Sequence, residues 1–180
     1  MTLGSDDNPY PQENFMKATQ AVPQGFHTVT ASIVVRNAPQ AIEFYKKALG
    51  AEERMRMLGP NGKVMHAELK IGDSIIFVTD EMPEMGCTSP QSLGGHTGSL
   101  YLYLDDVDTA FQRAIDAGGK ASMPVADMFW GDRFGSFTDP YGHSWGLSTH
   151  VEDLSEPEIE ERAKAWHAQM AEMQKQKKTA

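Results

Sequence analysis

From Thr28 to Val35 the chain alternates, with Val29, Ala31, Ile33 and Val35 on one face and Thr28, Thr30, Ser32 and Val34 on the other. A period of two with one apolar face predicts a half-buried strand. The period then changes. Ala41, Ile42, Tyr45, Ala48 and Leu49 recur at helical spacing. Ahead of them stand Asn37, a good N-cap, and Pro39, which a first helical turn tolerates. Gly50 supplies the stop. Three strands are predicted next, at about 52–58, 63–70 and 74–79, with a "GPNG" turn signal at Gly59 between the first two.

The same order then recurs. "HTVTASIVVRNAPQAIEFYKKALGA" at His27 returns as "HTGSLYLYLDDVDTAFQRAIDAGGK" at His96, without a gap. Leu100, Leu102 and Leu104 make an apolar strand face opposite Ser99, Tyr101 and Tyr103. Asp106 is the second N-cap; Val107, Ala110, Phe111, Ala114 and Ile115 follow at helical spacing, and Gly118-Gly119 stops the helix. Strands follow at about 120–127, 132–138 and 144–149, with a "DPYG" turn at Asp139. "KIGDSIIFV" matches "PYGHSWGLS", Gly72 meeting Gly142 and Ser74 meeting Ser144. The chain is thus a duplicated βαβββ module, an α+β fold whose apolar strand faces pack on helices and whose polar faces line a shared cleft.

The duplication sets the domain organisation: an N-terminal arm over 1–25, modules over 26–90 and 91–153, and a C-terminal helix over 154–180. The arm is polar, carries Pro9, Pro11 and Pro23, and shows no periodicity, so it reads as flexible, with Tyr10, Phe15 and Met16 as candidate anchors. In the last segment Ile159, Ala163, Trp166, Met170 and Met173 form one stripe at spacings of four and three. That stripe packs on its own domain or forms a dimer contact; the pattern says buried, not against what.

Charge and composition narrow the partners. A net charge of −9 disfavours nucleic acid and anionic membranes. A single cysteine, Cys87, forms no intramolecular disulfide, and no zinc-type Cys/His spacing occurs. The N-terminus has neither the basic nor the apolar region of a signal peptide, and no apolar run reaches spanning length. The expectation is a cytoplasmic protein.

The paired modules, the "AIEFYKKALGA" helix and the "FTDPYGHSWGL" segment resemble the vicinal oxygen chelate superfamily of glyoxalases, bleomycin-resistance proteins and extradiol dioxygenases. "VMHAELKIGDSIIFVTDE" and "MFWGDRFGSFTDPYGHSWGLSTHVEDL" are similar to its PhnB-like branch. The resemblance implies the fold, a homodimer and a small-molecule ligand in the cleft. In metal-using members it implies four ligands, which by motif register fall here on Thr30, Phe77, Ser99 and Gly146. None of these is a usual ligand for zinc, nickel or iron, so no cofactor is expected, with a divalent metal as the alternative. His27 and His96 lie three residues upstream, and an odd shift along a strand turns a side chain to the other face.

Two groups on the polar faces carry candidate chemistry. His66 and Glu68 share a face with Lys70, while Met65, Ala67, Leu69 and Ile71 take the other. They are acid/base candidates, partial metal ligands, or a hydrogen-bonded pair without chemistry. In "FWGDRFGSF" the register expected from the motif sends Arg133, Gly135 and Phe137 into the cleft, with Trp130 at its rim. Phe77, Tyr101, Tyr103, Trp130 and Phe137 then form an aromatic lining, with Arg133 available to an anionic oxygen. The leading expectation is a metal-free small-molecule binder; the alternative is a divergent lyase, isomerase or dioxygenase-like enzyme using His66 and Glu68. Asp139 and His143 are expected to fix their turn.

Overall fold

The computed structural model describes residues 17–179, with side chains to Met173. The anchors Tyr10, Phe15 and Met16 lie outside the described residues. The first module runs β1 (Ala31–Val35), α1 (Ala38–Leu49), β2 (Glu52–Leu58), β3 (Val64–Ile71) and β4 (Ser74–Asp80). A 3₁₀ turn at Pro83–Met85 and the short helix α2 (Pro90–Leu93) cross to the second module. That module runs β5 (Ser99–Tyr103), α3 (Val107–Asp116), β6 (Lys120–Asp127), β7 (Asp132–Thr138) and β8 (Ser144–His150). The helix α4 (Glu156–Thr179) follows.

Each module forms one sheet, in the orders β1-β4-β3-β2 and β5-β8-β7-β6, with the first pair parallel and the rest antiparallel. The caps expected from sequence form: Asn37 accepts from the Gln40 amide and Asp106 from the Thr109 amide. Gly50 ends α1 at a φ of 67°, a left-handed turn that glycine adopts freely. A second cap repeats between modules. Asp80 at the end of β4 accepts from the Ala38 amide, and Thr149 in β8 accepts from the Val107 amide. In each module the last strand therefore holds the first turn of its own helix.

Val29, expected on the apolar strand face, is 85% exposed. The strand starts only at Ala31, paired with Ile76, so the residues before it have no ladder partner to order them. The connection between modules contains α2, capped by Ser89 and opened by Pro90.

The helix sides of both modules merge into one core that includes Ile33, Tyr45, Leu69, Ala110, Phe137, Trp145 and Leu147. Tyr45 of α1 is fully buried and crosses the joint, its ring 5.4 Å from Trp145 of β8. Its hydroxyl donates to Asp139 Oδ2 at 2.7 Å, which also accepts from Trp145 Nε1 at 2.9 Å. Burial beside that carboxylate pushes the Tyr45 phenol pKa up. Asp139 Oδ1 accepts from the Tyr141 and His143 amides, so one buried carboxylate fixes the DPYG turn and ties the modules together. His143 adds a contact to the Val34 carbonyl at 2.9 Å.

The polar faces stay open. Among the described residues, no side-chain hydrogen bond, ion pair or ring contact joins the open face of one sheet to that of the other. In α4 the stripe is half-buried through Met170 and exposed at Met173; Trp166 packs 5.5 Å from Phe129 of its own chain. None of the described helices is long and apolar enough to cross a membrane.

Candidate functional site

The open face of the first sheet carries His66 and Glu68 as the alternation requires. Glu68 pairs with Phe77 across to β4 and with Met55 across to β2, so these side chains share one face. His66 Nε2 lies 3.7 Å from Glu68 Oε1, and Arg54 lies 3.9 Å from the other oxygen. Phe77 packs against the His66 ring at 4.6 Å and against Phe26 at 5.9 Å, while the Arg54 guanidinium sits 5.7 Å above Phe26. The contacts to Glu68 are longer than hydrogen bonds. This face is a loose association of rings, methionines and charges.

The second face is built differently. Asp132, only 2% exposed, opens β7 and sits opposite His150 of β8. Its Oδ1 lies 2.8 Å from His150 Nδ1. Its Oδ2 accepts from Tyr103 at 3.0 Å and Trp130 Nε1 at 3.1 Å, with the Tyr101 hydroxyl at 3.5 Å. Burial alone raises a carboxyl pKa, but the hydrogen bonds from His150, Tyr103, Ser148 and Trp130 outweigh it and hold Asp132 below its ordinary range. The same bonds raise His150, through Asp132 first and then Asp153, and raise Tyr103. Tyr101 stacks on Phe134 at 5.4 Å and 9°, and Trp130 lies 6.0 Å from Phe134. Tyr101 and Tyr103 are nevertheless 45% and 65% exposed. A buried carboxylate thus locks a ring-lined surface that faces solvent.

Gly131 sets the rim. Its φ of 94° and the Glu152 carbonyl, which stands where a β-carbon would go, leave no room for a side chain beside Trp130.

Two expected members of this lining are elsewhere. Phe137 is fully buried against Trp145 in the helix-side core, their rings parallel at 6.4 Å. Arg133 also points to the helix side, where it pairs with Asp108 of α3 at 2.6 Å and Asp127 at 2.8 Å. The reason is register: Phe137 pairs with Trp145 and Gly135 with Leu147, and paired residues share a face. The opposite set, Asp132, Phe134 and Ser136, therefore lies on the open side. Sequence reasoning missed Phe134, Asp132 and His150. Counting back from the four-residue DPYG turn finds them, because the apolar Trp145 and Leu147 fix which side of β8 meets the helices.

Two of the four positions that the family resemblance assigns to metal ligands, Phe77 and Gly146, are taken up by ring packing. Phe77 is enclosed by rings, and a β-carbon on Gly146 would meet both Tyr101 and Phe134 at 2.9 Å. The ring stack fills the volume a ligating side chain needs. Among the described residues, no group of three or more His, Cys, Asp or Glu side chains is placed to hold a metal ion.

A cleft of about 410 Å³ also lies between the modules, lined by Ala31–Val34 of β1, Pro90 and Leu93 of α2, His96–Leu100 and His143. His96 there turns its Nδ1 to the Gly98 carbonyl at 2.9 Å.

Sheet order and duplicated modules define a class of protein, and comparison with known proteins agrees. The model of the Glyoxalase/Bleomycin resistance protein/Dioxygenase superfamily matches residues 25–147, and the chain belongs to that superfamily. An uncharacterised protein of Mycobacterium bovis is 40% identical over 131 residues, 71% of this chain and 86% of that one. The crystal structure of TioX from Micromonospora sp. ML1 superposes with a TM-score of 0.55 at 26% identity, covering 68% of this chain and 97% of that one. The PhnB protein of Bacillus cereus shares the fold, with a TM-score of 0.53 and 21% identity over 68% of this chain and 99% of that one. His150, Asp153 and α4 lie beyond the matched residues.

Proposed function

We propose that this protein binds a small aromatic molecule, without a metal, against the open sheet faces, and that a homodimer completes the cleft. The observation that carries the reading is the Tyr101–Phe134–Tyr103–Trp130 surface around Asp132. Exposed rings held in place by a buried hydrogen-bonded acceptor present area to a ligand at low entropic cost. The same exposure supports the dimer reading, since a second copy would cover what one chain leaves open.

The reading is tested by calorimetric titration with 2-naphthamide, with sedimentation velocity on the same sample. Saturable binding of one molecule per open face in a dimer supports it. A monomer that binds no aromatic probe overturns it, and turnover of a bound ligand would replace binding with catalysis.

Acid/base chemistry by His66 and Glu68 is the second reading, favoured by their 3.7 Å approach on the same open face as Phe77. It requires that His66→Ala abolish conversion of an oxygenated substrate while the melting temperature holds; unchanged conversion removes it.

A further inference from the structure

Arg133, the cation that the sequence nominates for anion recognition, is committed to Asp108 and Asp127. The open face of the second sheet carries another. Asp132 Oδ1, 2.8 Å from His150 Nδ1, orients the ring and keeps that nitrogen protonated. Nε2 is left as the outward nitrogen on a side chain 53% exposed. It lies 3.1 Å from Oδ1 of Asp153, whose own side chain is fully exposed. Among the described residues Asp153 has no other side-chain partner. An ion pair in that setting contributes little to stability. What it marks is a position: a carboxylate oxygen at hydrogen-bond distance from an imidazole N–H, beside the exposed Tyr103 ring. A cavity of about 410 Å³ opens there, lined by Tyr103, Leu104, Asp105, Thr149 and His150.

We infer that His150 is the ligand-recognising group and that the ligand is a planar aromatic carboxylate, its ring on Tyr103 and Tyr101 and its carboxylate in the place Asp153 occupies at Nε2. This rests on the aromatic-ligand reading above and adds the chemical class. The charged and titratable groups facing the imidazole are Asp132 beneath it, Asp153 at its outer edge, Asp105 across the cavity, and the phenols of Tyr101 and Tyr103. The Asp132–Asp153 pairing favours the imidazolium, which gives a charge-assisted bond to an incoming carboxylate. Asp105 opposes an anion, so selectivity for acid over amide measures His150 against it.

The test titrates the full-length protein with 2-naphthoate, 2-naphthamide and 2-naphthylmethylammonium by calorimetry. The carboxylate should bind about tenfold tighter than the amide, as one charge-assisted hydrogen bond implies. That preference should fade as the pH rises through the raised pKa of His150. Asp153→Asn, which leaves Asp132 and its donors in place, should tighten the carboxylate about threefold and leave the amide unchanged, because a weak internal competitor is gone. His150→Ala should abolish the preference while amide binding persists. Equal affinity for acid and amide, or tightest binding of the ammonium probe, overturns the assignment of His150 but leaves an aromatic-binding face standing. Absence of binding by all three removes both.

Discussion

The two modules share a framework and differ on their open faces. In the first, the charged neighbours of Glu68 among the described residues stand 3.7 and 3.9 Å away, and no hydrogen bond among those residues anchors the rings of Phe26, Phe77 and His66 that rest on one another. In the second, three donors within 3.1 Å converge on one buried carboxylate oxygen pair. On the helix sides, by contrast, the N-caps and the strand-to-helix caps recur in both modules. Duplication therefore preserved what folds each module and left the open faces free to differ, as expected when function is a site grafted on a fold.

The sharpest way to break this comparison is to delete the acceptor on each side. Asp132→Ala strands the Trp130, Tyr103 and His150 donors and should cost about 3 kcal/mol in urea unfolding. Glu68→Ala, whose contacts are long and partly solvated, should cost less than about 1 kcal/mol. Equal losses would mean that the two faces are built alike.

A smaller effect is expected from Gly146→Ala. The added β-carbon meets the Tyr101 and Phe134 rings at 2.9 Å and should force them apart, at about 1 kcal/mol of stability, with weaker binding of 2-naphthamide. Unchanged affinity would show that the stacked pair is packing and not a binding surface.

The smallest effect is the pH dependence that the second open face contributes. The folded pKa of His150 lies above its unfolded value, so its contribution is full below about 6.5 and lost as the pH rises through the folded value. That of Asp132 is depressed, so its contribution is full above about 3.9 and lost as the pH falls through the folded value. Urea midpoints should therefore decline on both sides of that window, and His150→Ala should erase the alkaline decline. A variant with the wild-type alkaline profile would place that titration elsewhere.

Much of this was legible from residue order. Alternation located the strands, and Asn37, Asp106 and Gly50 marked helix ends, because these signals act within a few residues. The face of β7 was harder. Phe134 and Phe137 differ by three positions, so aromatic residues fall on both sides of the strand and hydrophobicity alone does not orient it. Only the pairing with Trp145 and Leu147 does. Asp132 was invisible for a related reason: its partners come from β5, β8 and the turn before β7, and local sequence does not reveal such convergence. Arg133 misled because a cation beside an aromatic stretch reads equally well as a binding group or as a strand-to-helix ion pair.

The Gly131 carbonyl accepts from both the Val151 and Glu152 amides, just before the chain enters α4. Arg162 of α4 pairs back to Glu152, and Trp166 rests on Phe129. The rim that carries Trp130 and the root of the helix are thus one mechanical piece. A helix of 24 residues is about 36 Å long. A tilt of about ten degrees at its root therefore carries the far end through about 6 Å. In this molecule α4 is a pointer whose pivot is the wall of the aromatic face.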